Sequence, residues 1–228
     1  VLARVLPDAA DRRAAVVLVT GALCLWGAWF GQDLAPESWS RLAELCWWAT
    51  TQIVCFAVVP LAVAWLVLDL PPTELGWRVR GTSSHAGVYV ALFGLAVPVV
   101  VAASFTAVFQ QKYPLYEVSR GDVGIYDELA VWWFFYGLQF VAVETFFRGF
   151  LLHGLVPRLG ALAVVVPVVP YTMLHFVKPP AEALAAIVGG MVMGALSYRT
   201  RSIWWGVGLH VAVASVMDVS SLAHKGLL

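Results

Sequence analysis

Seven apolar runs, each near the length of about 20 residues that crosses a bilayer, leave this chain little choice but a bundle of membrane helices. They fall near 14–31, 46–69, 86–110, 128–155, 160–177, 181–198 and 203–222. Backbone polar groups in hydrocarbon must be satisfied within the segment, so unbroken runs of this length fold as helices. The expected fold is all-α: a polytopic membrane helix bundle of about seven transmembrane helices, making one integral membrane domain overall. Residues 1–69 supply the first two helices and 70–228 the rest. The fourth run is long enough to tilt or to extend past the membrane. The fifth is short and carries Pro167 and Pro170, so a kink is expected there.

Composition fits this reading: 61% of residues are hydrophobic and 12% charged, where a soluble domain carries about a quarter charged. A net charge of zero argues against nucleic acid as a partner. Cys24, Cys46 and Cys55 lie in early apolar segments without metal-type spacing and read as buried free thiols. The first run follows Arg12-Arg13, as a signal peptide would. It is long, and Gly31-Gln-Asp-Leu-Ala-Pro makes a poor cleavage site, so it is expected to be a retained helix. With the N-terminus inside, Arg4, Arg12, Arg13, Arg78, Arg80, Arg158, Arg199 and Arg201 would be cytoplasmic. Against these eight stand five on the other side: Arg41, Lys112, Arg120, Lys178 and Lys225. The positive-inside rule then favours a cytoplasmic N-terminus.

Ionisable residues at bilayer depth are confined to the second half. Glu144 and Arg148 sit in Val141-Ala-Val-Glu-Thr-Phe-Phe-Arg-Gly-Phe, His175 closes the fifth run, and His210 lies inside the seventh. Each embedded charge costs roughly 2.5–3.5 kcal/mol on insertion scales. Four residues apart, with Glu first, the pair shares a helix face in the favourable order. Pairing explains how the charges are tolerated, and two leucines would insert more easily, so a use is expected. Glu144, Arg148, His175 and His210, drawn from three runs, form the candidate catalytic set. Two carboxylates are additional candidates. Glu182 reads either as a helix-start residue favoured by the dipole or as a group facing the same cavity as His175. Asp218, about 12 Å along the helix from His210, reads as a supporting or structural group. His153, half a turn round from Glu144, is left out. Ala186, Gly190 and Gly194 are spaced for close helix packing.

These residues resemble the motifs of the CPBP intramembrane proteases, the family of CAAX prenyl proteases and bacteriocin-processing enzymes also called Abi. Its pattern is EExxxR followed by a pair such as GF, then FxxxH, then HxxxN or HxxxD, on successive spans. The corresponding segments here are Val143-Glu144-Thr-Phe-Phe-Arg148-Gly149-Phe150, Tyr171-Thr-Met-Leu-His175, and His210-Val-Ala-Val-Ala214. Leu75-Gly-Trp-Arg also has the family's look, and residues 70–228 hold the CPBP-like core. Two positions depart from the pattern. Val143 stands where the family has its first glutamate, usually assigned to activating water, and Ala214 where it has the Asn or Asp taken to bind the oxyanion.

The resemblance implies an intramembrane endopeptidase that hydrolyses a membrane-associated peptide or protein with glutamate- and histidine-activated water. In that scheme Glu144 takes the proton, Arg148 fixes its rotamer, and His175 and His210 orient the water or bind the oxyanion. Glu144 must serve alone, or Glu182 must replace the missing glutamate. No cofactor is expected. Zinc is the alternative, held by His175 and His210 with Glu144 or Glu182, but no HExxH occurs and Arg148 would repel a dication. The rival function is a catalytically inactive scaffold or binding protein, for which Val143 and Ala214 argue. A transporter built of inverted repeats needs broken, charged helices in both halves, and the first half has none. The expected partners are the lipid bilayer and a membrane-associated substrate, and the expected location is a bacterial inner membrane.

Overall fold

Asp8 opens the first helix, its carboxylate accepting the Ala10 N–H at 2.6 Å, and the apolar run continues unbroken as α1, Ala9–Gly31. The computed structural model describes residues 8–117 and 125–227. Arg4 and Arg120, counted above for orientation, lie outside them. Ser40 caps α2, Arg41–Ile53. The helix then widens into a π turn, Val54–Val58, and continues as α3, Val59–Leu66. Pro60 accounts for the widening, because its ring has no N–H and crowds the carbonyl one turn back. Beyond come α4, Ala86–Ser104, and the short α5, Ala107–Lys112.

The motif-bearing helix is α6, Ile125–Glu144, a second π turn, Thr145–Leu151, and α7, Leu152–Leu159. A six-residue helix, α8 (Val168–Met173), precedes α9, Pro180–Thr200, and α10, Trp204–His224. Among the described residues no strand occurs, and six helices are long and apolar enough to cross a membrane. The protein is an all-α, polytopic integral membrane bundle.

The fifth expected span is where sequence and structure differ. Residues 160–177 form a 3-10 turn, Gly160–Val164, and α8 rather than one long helix. Pro167 and Pro170 each remove an N–H from the ladder within four residues, so the expected kink becomes a break. The segment nevertheless runs from one end of the bundle to the other. Arg158, just before it, pairs with Asp11 at the start of α1. Lys178, just after it, reaches Glu182 and the Tyr113 hydroxyl at the opposite end. Small residues of α9 accommodate it: a Cβ on Gly190 would touch Tyr171, and one on Gly194 would lie 3.0 Å from Val164.

The core is centred on the two π turns. Phe56 of the first stacks on Phe146 of the second at 4.6 Å and meets Phe147 edge-on at 5.8 Å. From α1, Val17 packs against Gly154, and the Arg13 guanidinium donates to the carbonyls of His153 and Gly154 at 3.1 and 3.0 Å. Gly149 has a specific role. A Cβ there would lie 2.8 Å from the Leu75 carbonyl oxygen, so only glycine lets the Leu75-Gly76 backbone close on the wide turn. Gly76, at φ +82°, then turns its carbonyl to accept the Ile203 N–H at 3.0 Å, fixing the start of α10. The three cysteines are free; Cys24 is buried and Cys46 and Cys55 are partly so.

Candidate active site

Glu144 is the last α-helical residue before the π turn, and its side chain is fully buried. Arg148 lies inside that turn, a local widening that often marks functional sites. Its Nη1 is 3.1 Å from Glu144 Oε1, and its guanidinium lies 4.2 Å over the Tyr171 ring. The ion pair is close without being an aligned hydrogen bond, and Arg148 Nη2 and Glu144 Oε2 have no protein partner. Gly206 of α10 presses against this carboxylate, since a Cβ there would come within 2.7 Å of Oε2.

His210 completes the group from α10. Its Nδ1 is 3.1 Å from Glu144 Oε1, the same oxygen that faces Arg148. A carboxylate only accepts, so neutral His210 donates Nδ1–H and keeps its lone pair on Nε2. The ring is held against Phe140 at 4.4 Å and Tyr171 at 6.3 Å. His175 is fixed in the same tautomer by other means. Its Nδ1 is 2.9 Å from the Tyr171 carbonyl, which also only accepts, so Nε2 is again bare.

Both imidazoles line one cavity of about 600 Å³, together with Val143, Tyr171, Gln139 and Gln52. Asp33, Glu37, Arg41, Glu44, Lys112 and Lys178 form its charged rim. Glu144 is not part of the wall; it stands behind His210. Tyr136, Gln139, Phe140 and Val143 of α6 all line the cavity, and Glu144, one turn beyond Phe140, is shut off from it by the His210 ring.

The structure thus brings Glu144, Arg148, His175 and His210 together around Tyr171. It sets the two further candidates apart. Glu182 accepts from the Tyr113 hydroxyl at 2.8 and 3.0 Å and pairs with Lys178 at 2.9 Å, outside the cavity wall. Asp218 is buried away from the cavity, accepting from Trp133 Nε1 at 3.1 Å. Of the two departures from the motif pattern, Val143 lies on the cavity wall and Ala214 is buried with Trp132, Tyr136 and Phe140. His153 meets Ser197 at 3.2 Å, buried beneath the Arg13 clamp. Gln139 and Gln52 carry no charge, so the cost of embedded charge does not single them out in the sequence. The available signal was an amide at bilayer depth, one turn before Val143.

The donor set does not fit a catalytic zinc, which takes three protein ligands. The two bare Nε2 atoms lack a third partner on the cavity wall, because Glu144 lies behind the His210 ring and off that wall, with Oε1 facing Arg148 and His210 Nδ1. Among the described residues, no group of three or more His, Cys, Asp or Glu is arranged to hold a metal.

Residues 126–216 match the family model described as type II CAAX prenyl endopeptidase Rce1-like. The match begins in α6 and ends just past Ala214, so it contains Glu144, Arg148, His175 and His210. Comparison with curated proteins and with solved structures gave no match.

Proposed function

We propose that this integral membrane protein, whose residues 126–216 are of the CPBP/CAAX protease family, is an intramembrane endopeptidase acting on a membrane-associated peptide or protein. The observation that carries the reading is the position of His210, which touches Glu144 on one side and the cavity on the other. His210 Nε2 is the general base. It takes a proton from a water molecule that also donates to Nε2 of His175. The water oxygen bonds to the scissile carbonyl carbon. The C–N bond then breaks as His210 returns the proton to the leaving nitrogen, leaving a carboxyl and an amine.

Glu144 acts through His210, holding the tautomer and stabilising the imidazolium that forms. Arg148 holds Glu144. Compared with the scheme drawn from the sequence, the proton acceptor moves from Glu144 to His210, because the cavity reaches the imidazole and not the carboxylate. No metal is needed for these steps. The family resemblance implies a bacterial inner membrane, and the excess of Lys and Arg in alternate loops favours a cytoplasmic N-terminus. The cavity rim at Asp33 and Glu37, just beyond the far end of α1, would then open opposite the cytoplasm.

The test is cleavage of membrane-anchored peptides, prenylated and unprenylated, by the purified protein in liposomes. Wild type is expected to cut, and His210→Ala to lose at least about a hundredfold in rate, the usual scale of general-base catalysis. Val143 and Ala214 favour the second reading, an inactive scaffold, and a wild type that cuts neither peptide set would support it.

A further inference from the structure

We infer that Gln139 is a further catalytic residue, its carboxamide binding the scissile carbonyl oxygen as negative charge develops on it; this rests on the endopeptidase reading. The side chain lines the cavity that holds His175 and His210, yet is only 6% exposed. Its Oε1 is buried without a partner. An unpaired amide in an apolar run is a standing cost, and a leucine would avoid it.

Register places this amide. Gln139 sits one turn before Val143 on the cavity-facing side of α6, and its neighbour Phe140, which lines the same cavity, packs against His210 at 4.4 Å. The amide therefore lines the same cavity as the proposed base. The two positions where the family pattern supplies polar groups cannot do this work here. Val143 brings a hydrocarbon to the wall, and Ala214 is packed in an aromatic cluster. The carboxamide turns about its last bond, so Nε2–H can donate to the carbonyl oxygen while Oε1 accepts from a peptide N–H of the same substrate. A neutral amide in a water-poor cavity is suited to a charge present only in the transition state. It adds no charge that would compete with Glu144 for the His210 proton.

The variants are Gln139→Met, close in shape and without the amide, and Gln139→Leu. In liposomes, each is expected to lower kcat by about 10²–10³, the usual effect of removing one oxyanion donor, with KM within threefold of wild type. Affinity for a tetrahedral, anionic peptide phosphonamidate should fall by a similar factor. The thermal midpoint in detergent should not fall, because no protein hydrogen bond is lost. A kcat within threefold of wild type in both variants overturns the assignment while leaving the endopeptidase reading intact. Loss of folding in both would make Gln139 structural and likewise overturn it. A wild type without hydrolysis on any peptide removes both readings together.

Discussion

Replacing Glu144 by glutamine tests how the buried pair is held. Glu144 Oε1 lies 3.1 Å from Arg148 Nη1, and two unit charges at that distance interact by about 5 kcal/mol at an effective dielectric of 20. Desolvation offsets part of this, and the missing hydrogen-bond alignment weakens it further. Removing one member still leaves a buried charge uncompensated, a change that costs about 3–5 kcal/mol. The Tyr171 ring, 4.2 Å from the guanidinium, returns up to about 2 kcal/mol as a cation–π contact. Glu144→Gln should therefore destabilise by about 3 kcal/mol. Arg148→Met should cost about as much, since Glu144 keeps only His210. The double variant removes both charges and should cost less than about 2 kcal/mol, giving a coupling of at least about 4 kcal/mol. Reversible unfolding of the four proteins in mixed micelles measures it. Additive losses, or single losses below about 1 kcal/mol, would refute the reasoning that each charge is retained to balance the other.

Other outcomes follow from local geometry. Gly149→Ala drives a methyl to 2.8 Å from the Leu75 carbonyl, and overpacking of this kind costs about 1–3 kcal/mol, readable as a lowered unfolding midpoint. Gly206→Ala, 2.7 Å from Glu144 Oε2, should displace the carboxylate and remove cleavage, which a kinetic assay checks. Glu182→Gln and Tyr113→Phe change two residues outside the cavity wall that hold the rim cation Lys178. Both should lower stability while leaving the cleavage rate within a few-fold of wild type.

Much of this was legible in the sequence because the bilayer permits so few structures. Run lengths gave the all-α bundle, and the cost of embedded charge drew attention to Glu144, Arg148 and His210. Periodicity could not tell a kinked fifth span from a broken one, since the outcome at Pro167 and Pro170 depends on α9 offering Gly190 and Gly194 as a surface for the break. Nor did spacing reveal that Glu144 would stand behind His210. That depends on the rotation of α6 and on the π turn that follows it, and neither has a strong local signature beyond Gly149. Glu182 looked available near His175 because its partner, Tyr113, is 69 residues away. Gln139 was invisible to a search for charge, although an unpaired amide at depth carries the same kind of cost.

The central claim is hydrolysis by water activated at His210. Its most direct test is cleavage of a membrane-anchored peptide in ¹⁸O-labelled water, with mass spectrometry of the fragment bearing the new C-terminus. The account predicts one ¹⁸O in that carboxyl with wild type, and no such fragment with His210→Ala over the same interval. An unlabelled fragment, or equal labelled product from His210→Ala, would contradict it.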